Sequence, residues 1–282
     1  MTPRFIDQSK ILPFAKVTPI RLPKVIELTK QNFKYYESDQ LLTVVQLEDI
    51  FRTWYQPLID IDQFPYMYFM NNGITQALEY MPIHYKNANI KMLLGDYFWL
   101  KTIGCASEVI NSAVCKISYD TNPSTIDGAV HSITWPSDTH LLDGAYVGTC
   151  LDKIPIPANT EILFLGFSKN LGLSELRCGL MLSRNKIPTL DVLQKTFDYV
   201  GTQSFNLIAR ICKDLDIITL ATELKTYQTE FCKHFEQFQP SQCALLATTK
   251  DETYKFYKRP NGVIRIPLGE SITRWLATKN TF

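Results

Sequence analysis

The stretch that decides the fold reads Phe164-Leu165-Gly166-Phe167-Ser168-Lys169-Asn170-Leu171-Gly172-Leu173-Ser174-Glu175-Leu176-Arg177-Cys178-Gly179. An apolar run of strand length ends in Ser168-Lys169, a loop containing glycine follows, and Arg177 stands eight residues after the lysine. An exposed lysine and a salt-bridged arginine would be the ordinary interpretation. That interpretation explains neither the small and amide neighbours of Lys169 nor the glycine at 179. The ordinary interpretation therefore leaves part of this segment unexplained.

This segment resembles the cofactor-lysine segment of the fold-type I aminotransferases of class I/II, such as the aspartate and histidinol-phosphate aminotransferases. The resemblance implies that Lys169, with Ser168 beside it, forms a Schiff base with pyridoxal 5'-phosphate (PLP). It also implies that Arg177 grips the phosphate of PLP. A lysine with this role has to be partly removed from water so that its amine can lose a proton near neutral pH. The planar fork of arginine suits a phosphate better than a flexible ammonium group does.

Upstream, the stretch Leu142-Asp143-Gly144-Ala145-Tyr146-Val147-Gly148 closes another apolar run and matches the Asp-x-Ala-Tyr of the same family. By this resemblance, Asp143 pairs with the pyridinium nitrogen of PLP and Tyr146 hydrogen-bonds the phenolic oxygen of the ring. A ring kept protonated in this way is the electron sink that stabilises a carbanion. An aspartate that ends a strand in a turn is a common alternative, and the lysine segment tips the balance towards the cofactor role.

Two further segments resemble cofactor contacts of the family. In Met70-Asn71-Asn72-Gly73-Ile74-Thr75 a strand runs through a glycine into a helix, and free backbone N–H groups at a helix start bind phosphate. Gly73, Ile74 and Thr75 match the family's phosphate-cradling turn, although an ordinary turn would give the same pattern. In Leu94-Gly95-Asp96-Tyr97 a glycine replaces the family's proline. Tyr97 is the candidate for stacking on the PLP ring, with a core tyrosine as the alternative.

The stretch Thr121-Asn122-Pro123-Ser124-Thr125-Ile126-Asp127-Gly128 resembles the family's Asn-Pro-x-Asn-Pro-Thr-Gly imperfectly. Alignment on the glycine assigns the cofactor-contacting asparagine to position 125, which is Thr125, whereas alignment on the Asn-Pro pair assigns it to Asn122. We favour Asn122 slightly. Near the end of the chain, Ile264-Arg265-Ile266 resembles the strand whose arginine binds the α-carboxylate of the substrate. Arg265 is therefore the predicted substrate-binding residue.

Composition excludes several other classes of protein. The chain has 282 residues, of which 45% are hydrophobic and 20% charged, and its formal net charge is +1. These values are typical of a soluble globular protein and give no attraction to nucleic acid or to a membrane surface. The seven cysteines include no Cys-x-x-Cys pair, and the four histidines have no metal-ligand spacing. Without an apolar run of membrane-spanning length or a secretory core at the start, a cytoplasmic location is expected.

Short apolar runs alternate with polar connections between residues 61 and 200, which favours an α/β domain with a mostly parallel sheet. After Pro188, apolar residues recur every three or four positions as far as Phe238, which predicts one long helix or two in succession. Short strands are expected beyond that point. The predicted organisation is an N-terminal arm and helix (residues 1–60), a large PLP-binding α/β domain (61–200) and a small α+β domain (201–282). The first forty residues are expected to be irregular.

The resemblance implies an enzyme that moves an amino group between an amino acid and a 2-oxo acid. A PLP-dependent lyase or decarboxylase would use the same cofactor residues, and a trimmed, non-catalytic binding protein is a further alternative. Gly166 stands where many relatives have a phosphate-binding Ser or Thr. The family also implies a homodimer in which one subunit completes the other's cofactor pocket, and Tyr36 is the candidate for that contribution.

Overall fold

The computed structural model describes residues 17–36, 40–86, 89–132 and 134–279. A seven-stranded sheet lies at its centre, in the order β1-β7-β6-β5-β4-β2-β3. The strands are β1 (Tyr66–Met70), β2 (Ile90–Leu93), β3 (Ala106–Val109), β4 (Cys115–Thr121), β5 (Ser137–Gly144), β6 (Thr160–Gly166) and β7 (Gly179–Ser183). Strand β7 is antiparallel to both of its neighbours, and every other adjacent pair is parallel. The predicted α/β class with a mostly parallel sheet is therefore confirmed.

The register of the parallel strands aligns their carboxyl ends. Thr121 at the end of β4 lies beside Asp143 near the end of β5, and Asp143 lies beside Phe164 in β6. Ligands of open α/β sheets bind outside the carboxyl ends of the strands. The residues that follow β2, β4, β5 and β6 therefore meet at one edge of the sheet.

Eight α-helices accompany the two sheets within the described residues, and five of them span eleven residues or more. They are α1 (Pro23–Asn32), α2 (Val44–Tyr55), α3 (Gly73–His84), α4 (Trp99–Thr102), α5 (Pro188–Asp191), α6 (Thr202–Asp214), α7 (Ile217–His234) and α8 (Gly269–Lys279). A capping box between Thr43 and Gln46 starts α2, and Asp216 caps α7 by accepting a hydrogen bond from Thr219 N at 2.8 Å. These caps satisfy N–H groups that have no partner within the helix.

A small antiparallel sheet follows α7 and contains β8 (Gln239–Pro240), β9 (Leu246–Thr249) and β10 (Ile264–Pro267). Its buried side chains, such as Ile264 and Ile266, belong to the same hydrophobic cluster as Leu163 of β6 and Leu224 of α7. This shared packing holds β10 at the carboxyl edge of the large sheet. No helix among the described residues is long and apolar enough to cross a bilayer.

Several local predictions are corrected by the structure. Residues 23–32 form α1 rather than irregular chain, because Pro23 occupies the first turn of a helix, where its missing N–H costs nothing. Of the two arrangements expected before Phe238, one long helix or two in succession, the structure has the second, because Leu215 is extended with φ −142° and ends α6. The short strands expected after Phe238 include β9 and β10, and a 3₁₀ helix, Glu252–Tyr257, lies between these two strands. Strand β3 and helix α8 were not predicted.

Candidate functional site

The carboxyl ends of β2, β4, β5 and β6 open into a cavity of about 1200 Å³. Most of the residues singled out in the sequence line it: Gly73, Ile74, Thr75, Tyr97, Asp143, Tyr146, Ser168, Lys169, Arg177 and Arg265. They come from five separate segments of the chain. The fold therefore brings together the groups that the sequence predicted for one site.

Lys169 follows the end of β6 and lies half-buried at the cavity wall. Its Nζ donates a hydrogen bond to the main-chain carbonyl oxygen of Val17. Val17 belongs to residues 17–22, which we call the strap, and part of the strap lines the same cavity. A Cβ at Gly269 would lie 1.9 Å from Thr18 O, and one at Gly172 would lie 2.9 Å from Ile20 O. The two glycines therefore allow the strap to pack against the cavity.

Asp143 lies at the end of β5 and is 2% exposed. Its Oδ2 accepts a hydrogen bond from Tyr119 OH at 2.7 Å, and its Oδ1 accepts one from Ala145 N at 2.8 Å. Burial raises the pKa of this carboxyl to about 7, against the opposing effect of the hydrogen bond from Tyr119. A cationic partner that enters the cavity would stabilise the charged form of this carboxyl and so lower its pKa.

Two tyrosines face the cavity beside Asp143. Tyr146 is buried, and burial raises the pKa of its phenol, so the hydroxyl stays neutral and can donate a hydrogen bond. Tyr97 is half-buried, and the side chain of Thr75 is its hydrogen-bond partner. Burial also raises the pKa of Tyr97. Both rings therefore present neutral phenols to the cavity.

A candidate anion site lies where α3 begins. Gly73 has φ +69°, and the first N–H groups of α3 have no acceptor within the helix. Arg177 crosses this helix start, where its Nε donates to Asn72 Oδ1 at 3.2 Å and its Nη2 to Asn72 O at 3.1 Å. A Cβ at Gly73 would lie 3.5 Å from Arg177 Nη2 and would fill the space between them. Helix N–H groups and a guanidinium around one small space suit a phosphate.

The two candidate residues of the Asn-Pro segment, Asn122 and Thr125, have different surroundings. Asn122 is buried, its Nδ2 donates to His131 O at 2.8 Å, and its Oδ1 accepts from His131 N at 3.2 Å. It is not among the residues that line the cavity, whereas Thr125 is. The amide of Asn122 holds this loop together through His131, and a contact between Asn122 and the cofactor stays a prediction.

Arg265 on β10 is 4% exposed, and its Nη1 donates to Thr125 O. A second arginine, Arg259, also lines the cavity, and its Nη2 donates to Gly95 O at 2.7 Å. Burial and the charge of Arg265 lower the pKa of Arg259 to about 10. This end of the cavity is therefore positively charged and suits an anionic group.

Asp96, which is buried at the cavity wall, had no predicted role. Its carboxylate accepts hydrogen bonds from Thr121 N, Thr121 Oγ1, Thr125 Oγ1 and Tyr97 N at 2.6–3.1 Å. Asp96 therefore ties the loop after β2 to the loop after β4. The sequence feature that could have predicted a role for Asp96 is its position directly after a strand, next to Tyr97. Arg259 and the strap have no comparable sequence feature. Within the described ranges, no group of three potential metal ligands is present.

Sequence comparison gives no family for the chain, since no protein-family model and no curated protein matches it. Structure comparison finds chains of similar fold. An aminotransferase from Mycobacterium tuberculosis matches with a TM-score of 0.61 at 13% identity, over 95% of this chain and 93% of that one. The histidinol-phosphate aminotransferase from Sinorhizobium meliloti, solved with pyridoxal-5'-phosphate, matches with a TM-score of 0.58 at 14% identity, over 94% and 90% of the two chains.

L-threonine-O-3-phosphate decarboxylase from Porphyromonas gingivalis is similar as well. It matches with a TM-score of 0.57 at 13% identity, over 95% of this chain and 99% of that one. The chain therefore has the fold of the fold-type I aminotransferases, a fold that the decarboxylase shares.

Proposed function

We propose that the chain binds PLP and is an aminotransferase that moves an amino group between an amino acid and a 2-oxo acid. The observation that carries the proposal is the arrangement of one cavity. Lys169, the buried carboxyl of Asp143, the neutral phenol of Tyr146 and the anion site of Arg177 all face it. An unrelated binding cavity would have no need for this combination.

Each part of PLP has residues that fit it. The phosphate would lie against the first turn of α3 and Arg177, the ring nitrogen against Asp143, and the phenolic oxygen against Tyr146. The remaining contacts would come from Tyr97 as the stacking ring, from Ser168 beside the lysine and from Thr125. At position 166, a Cβ would lie 3.1 Å from Ile74 Cδ1, so Ile74 occupies the space that a larger side chain would need.

Bound PLP supplies an electron sink that stabilises negative charge at the substrate Cα. Lys169 would hold the cofactor, and its amine would carry the proton at the substrate Cα once a substrate amine has taken its place. Asp143 would keep a proton on the ring nitrogen. Arg265 would bind the α-carboxylate of the substrate and so orient the bonds at Cα.

A PLP-dependent decarboxylase is the second candidate. The observation that favours it is the fold shared with L-threonine-O-3-phosphate decarboxylase, which covers nearly all of both chains. The cofactor contacts would be the same in both reactions. The products distinguish them, since transamination yields a 2-oxo acid and decarboxylation releases carbon dioxide.

The proposal extends to assembly, organisation and location. We propose a homodimer, with Tyr36 reaching the partner's pocket. In its own chain, Tyr36 stacks on Phe33 with ring centroids 5.4 Å apart and does not line the cavity. We also keep the division into residues 1–60, 61–200 and 201–282 and a cytoplasmic location.

The test starts from the purified protein mixed with PLP. Wild type should develop the absorbance of a lysine-bound cofactor, and borohydride should fix the cofactor to the peptide that contains Lys169. Lys169→Ala should lose both signals, whereas a change at the exposed Lys153, Lys153→Ala, should keep them. A screen of amino donors and 2-oxo acids, with carbon dioxide measured in parallel, then identifies the reaction. A wild-type protein that fails to bind PLP would refute the proposal.

A further inference from the structure

Tyr119 lies in the middle of the large sheet and makes one polar contact that the proposed chemistry has not used. It is fully buried on β4, and its OH donates to Asp143 Oδ2 at 2.7 Å. Its Cα is paired with Leu141 on β5, two residues before Asp143. The tyrosine therefore approaches the carboxyl from the neighbouring strand.

The surroundings of the ring do not require a hydroxyl. Tyr119 belongs to an apolar cluster with Met92, Leu141 and Phe164, where a phenylalanine would pack equally well. A buried hydroxyl without a partner is unfavourable. The hydroxyl is tolerated because Asp143 Oδ2 accepts a hydrogen bond from it.

We propose that Tyr119 is a positioning residue for Asp143, whose hydroxyl orients the carboxylate and keeps it charged for the ring nitrogen of the cofactor. This inference rests on the proposed function. A hydrogen bond donated to a carboxylate favours its charged form. Each carboxylate oxygen has two lone pairs, so the bonds from Tyr119 and Ala145 leave others for a partner in the cavity.

Other ionisable groups near Asp143 make this support necessary. Asp96, on the loop after β2, and Asp120, on β4, both raise the pKa of Asp143. The phenols of Tyr97 and Tyr146 also lie within electrostatic range. Burial raises the pKa of Tyr119 itself, so the phenol keeps its proton and is the hydrogen-bond donor of the pair. Of these neighbours, Tyr119 is the one whose side chain donates a hydrogen bond to Asp143.

The first experiment uses cofactor-free protein and follows the carboxyl band of Asp143 by infrared difference spectroscopy across pH, with Asp143→Asn to assign the band. In Tyr119→Phe the midpoint should rise by about one pH unit or more, the size expected for one hydrogen bond to a charged group. Replacement of Tyr119 by 3-fluorotyrosine, a stronger donor of similar shape, should lower it. This second variant keeps the test decisive if Tyr119→Phe does not fold.

The second experiment compares PLP with its benzene analogue, in which C–H replaces the ring nitrogen. Wild type should prefer PLP, and Tyr119→Phe should reduce that preference by about tenfold, equivalent to one unit of pKa. Tyr68→Phe is the matched control. Tyr68 is equally buried in the same sheet, but its hydroxyl accepts from Ile187 N at 2.8 Å. Loss of this hydroxyl in Tyr68→Phe should lower the stability of the protein. It should leave the titration midpoint of Asp143 and the preference for PLP unchanged.

The outcomes separate this inference from the proposed function. If wild type binds PLP but neither Tyr119 variant moves the midpoint or the preference, Tyr119 has only a structural role and the inference is wrong. If wild type binds neither probe, the proposed function fails, and the assignment of Asp143 to a ring nitrogen fails with it. A shifted midpoint together with a reduced preference supports the inference.

Discussion

Gly179 at the start of β7 lies directly against Ile74 at the start of α3. A Cβ at position 179 would stand 2.8 Å from Ile74 N and 2.8 Å from Gly73 C. The only side chain that permits this approach is a hydrogen atom. The contact holds the first turn of α3 beside Arg177, and it explains why Arg-x-Gly is the spacing found in this segment.

Gly179→Ala should therefore damage the anion site. The added methyl group has to push the backbone of α3 away, which separates its N–H groups from Arg177. We expect the affinity for PLP to fall by about tenfold or more, which corresponds to about 1.4 kcal/mol. The affinity for pyridoxal, which lacks the phosphate, should change much less. Equilibrium titration of both compounds measures the difference.

Gly104→Ala is the control for this change. Gly104 has φ +77°, and a Cβ there meets no other atom within 4 Å, so the variant carries backbone strain without touching the anion site. It should be less stable than wild type and bind PLP normally. Equal losses for PLP and pyridoxal in Gly179→Ala would mean that the contact supports the fold and not the phosphate.

Asp143→Ala should leave PLP attached at Lys169 and slow the first half-reaction by several orders of magnitude. The reason is that a ring without a protonated nitrogen is a poor electron sink. Rapid mixing of the PLP-loaded variant with an amino donor measures the half-reaction, and borohydride reduction measures the attachment. Near-normal turnover in the variant would refute the assignment.

Asp143 should also control how the stability of the cofactor-free protein depends on pH. Its pKa is about 7 in the folded state against an ordinary value of 3.8, so the folded protein holds an extra proton between these values. Raising the pH through this window removes that proton and destabilises the fold. Asp143→Asn, which stays neutral, should melt several degrees higher than wild type at pH 8 and show little difference at pH 4. If calorimetry finds the same difference in melting temperature between Asp143→Asn and wild type at pH 4 and at pH 8, the burial argument is wrong.

The lysine segment and Asp143 could be predicted from local sequence, because the end of a strand and the glycines that follow it are recognisable from a few neighbouring residues. The partners of these residues could not be predicted in the same way. Tyr119 and Asp143 are 24 residues apart and meet only through the register of β4 and β5. Lys169 and Val17 are 152 residues apart, and their contact depends on tertiary packing alone. A short apolar run places Tyr119 in a strand, but such a run carries no information about where its hydroxyl points.

The proposed homodimer should be visible in solution. Sedimentation of the PLP-loaded protein at micromolar concentration should give twice the chain mass of 32.4 kDa. A symmetric pair is the commonest arrangement of identical subunits. Tyr36→Ala should reduce activity, and mixing it with Lys169→Ala should restore part of that activity if Tyr36 acts in the partner's site. A catalytically competent monomer would rule the dimer out as a requirement.

Arg265 should bind the substrate carboxylate and take no part in holding PLP. It stands on β10 in the small sheet, whereas the anion site of Arg177 and α3 lies on the large one. Removing one partner of a buried, hydrogen-bonded charge pair costs about 2–5 kcal/mol, much of it from the partner left unpaired. Arg265→Ala should therefore lower the specificity constant by about two to three orders of magnitude. Arg265→Lys should recover little, because a point charge cannot form two parallel hydrogen bonds.

The cofactor content of both Arg265 variants should equal that of wild type, and so should the absorbance of the bound cofactor. A stopped-flow half-reaction beside a PLP titration separates the two possible roles of the arginine. Because Arg265 Nη1 also donates to Thr125 O, some loosening of the loop after β4 is expected in Arg265→Ala. Arg265→Lys keeps a donor near that carbonyl and controls for this effect. If Arg265→Ala loses PLP yet reacts normally once PLP is saturating, Arg265 belongs to the phosphate site, and the assignment of β10 to the substrate end of the cavity is wrong.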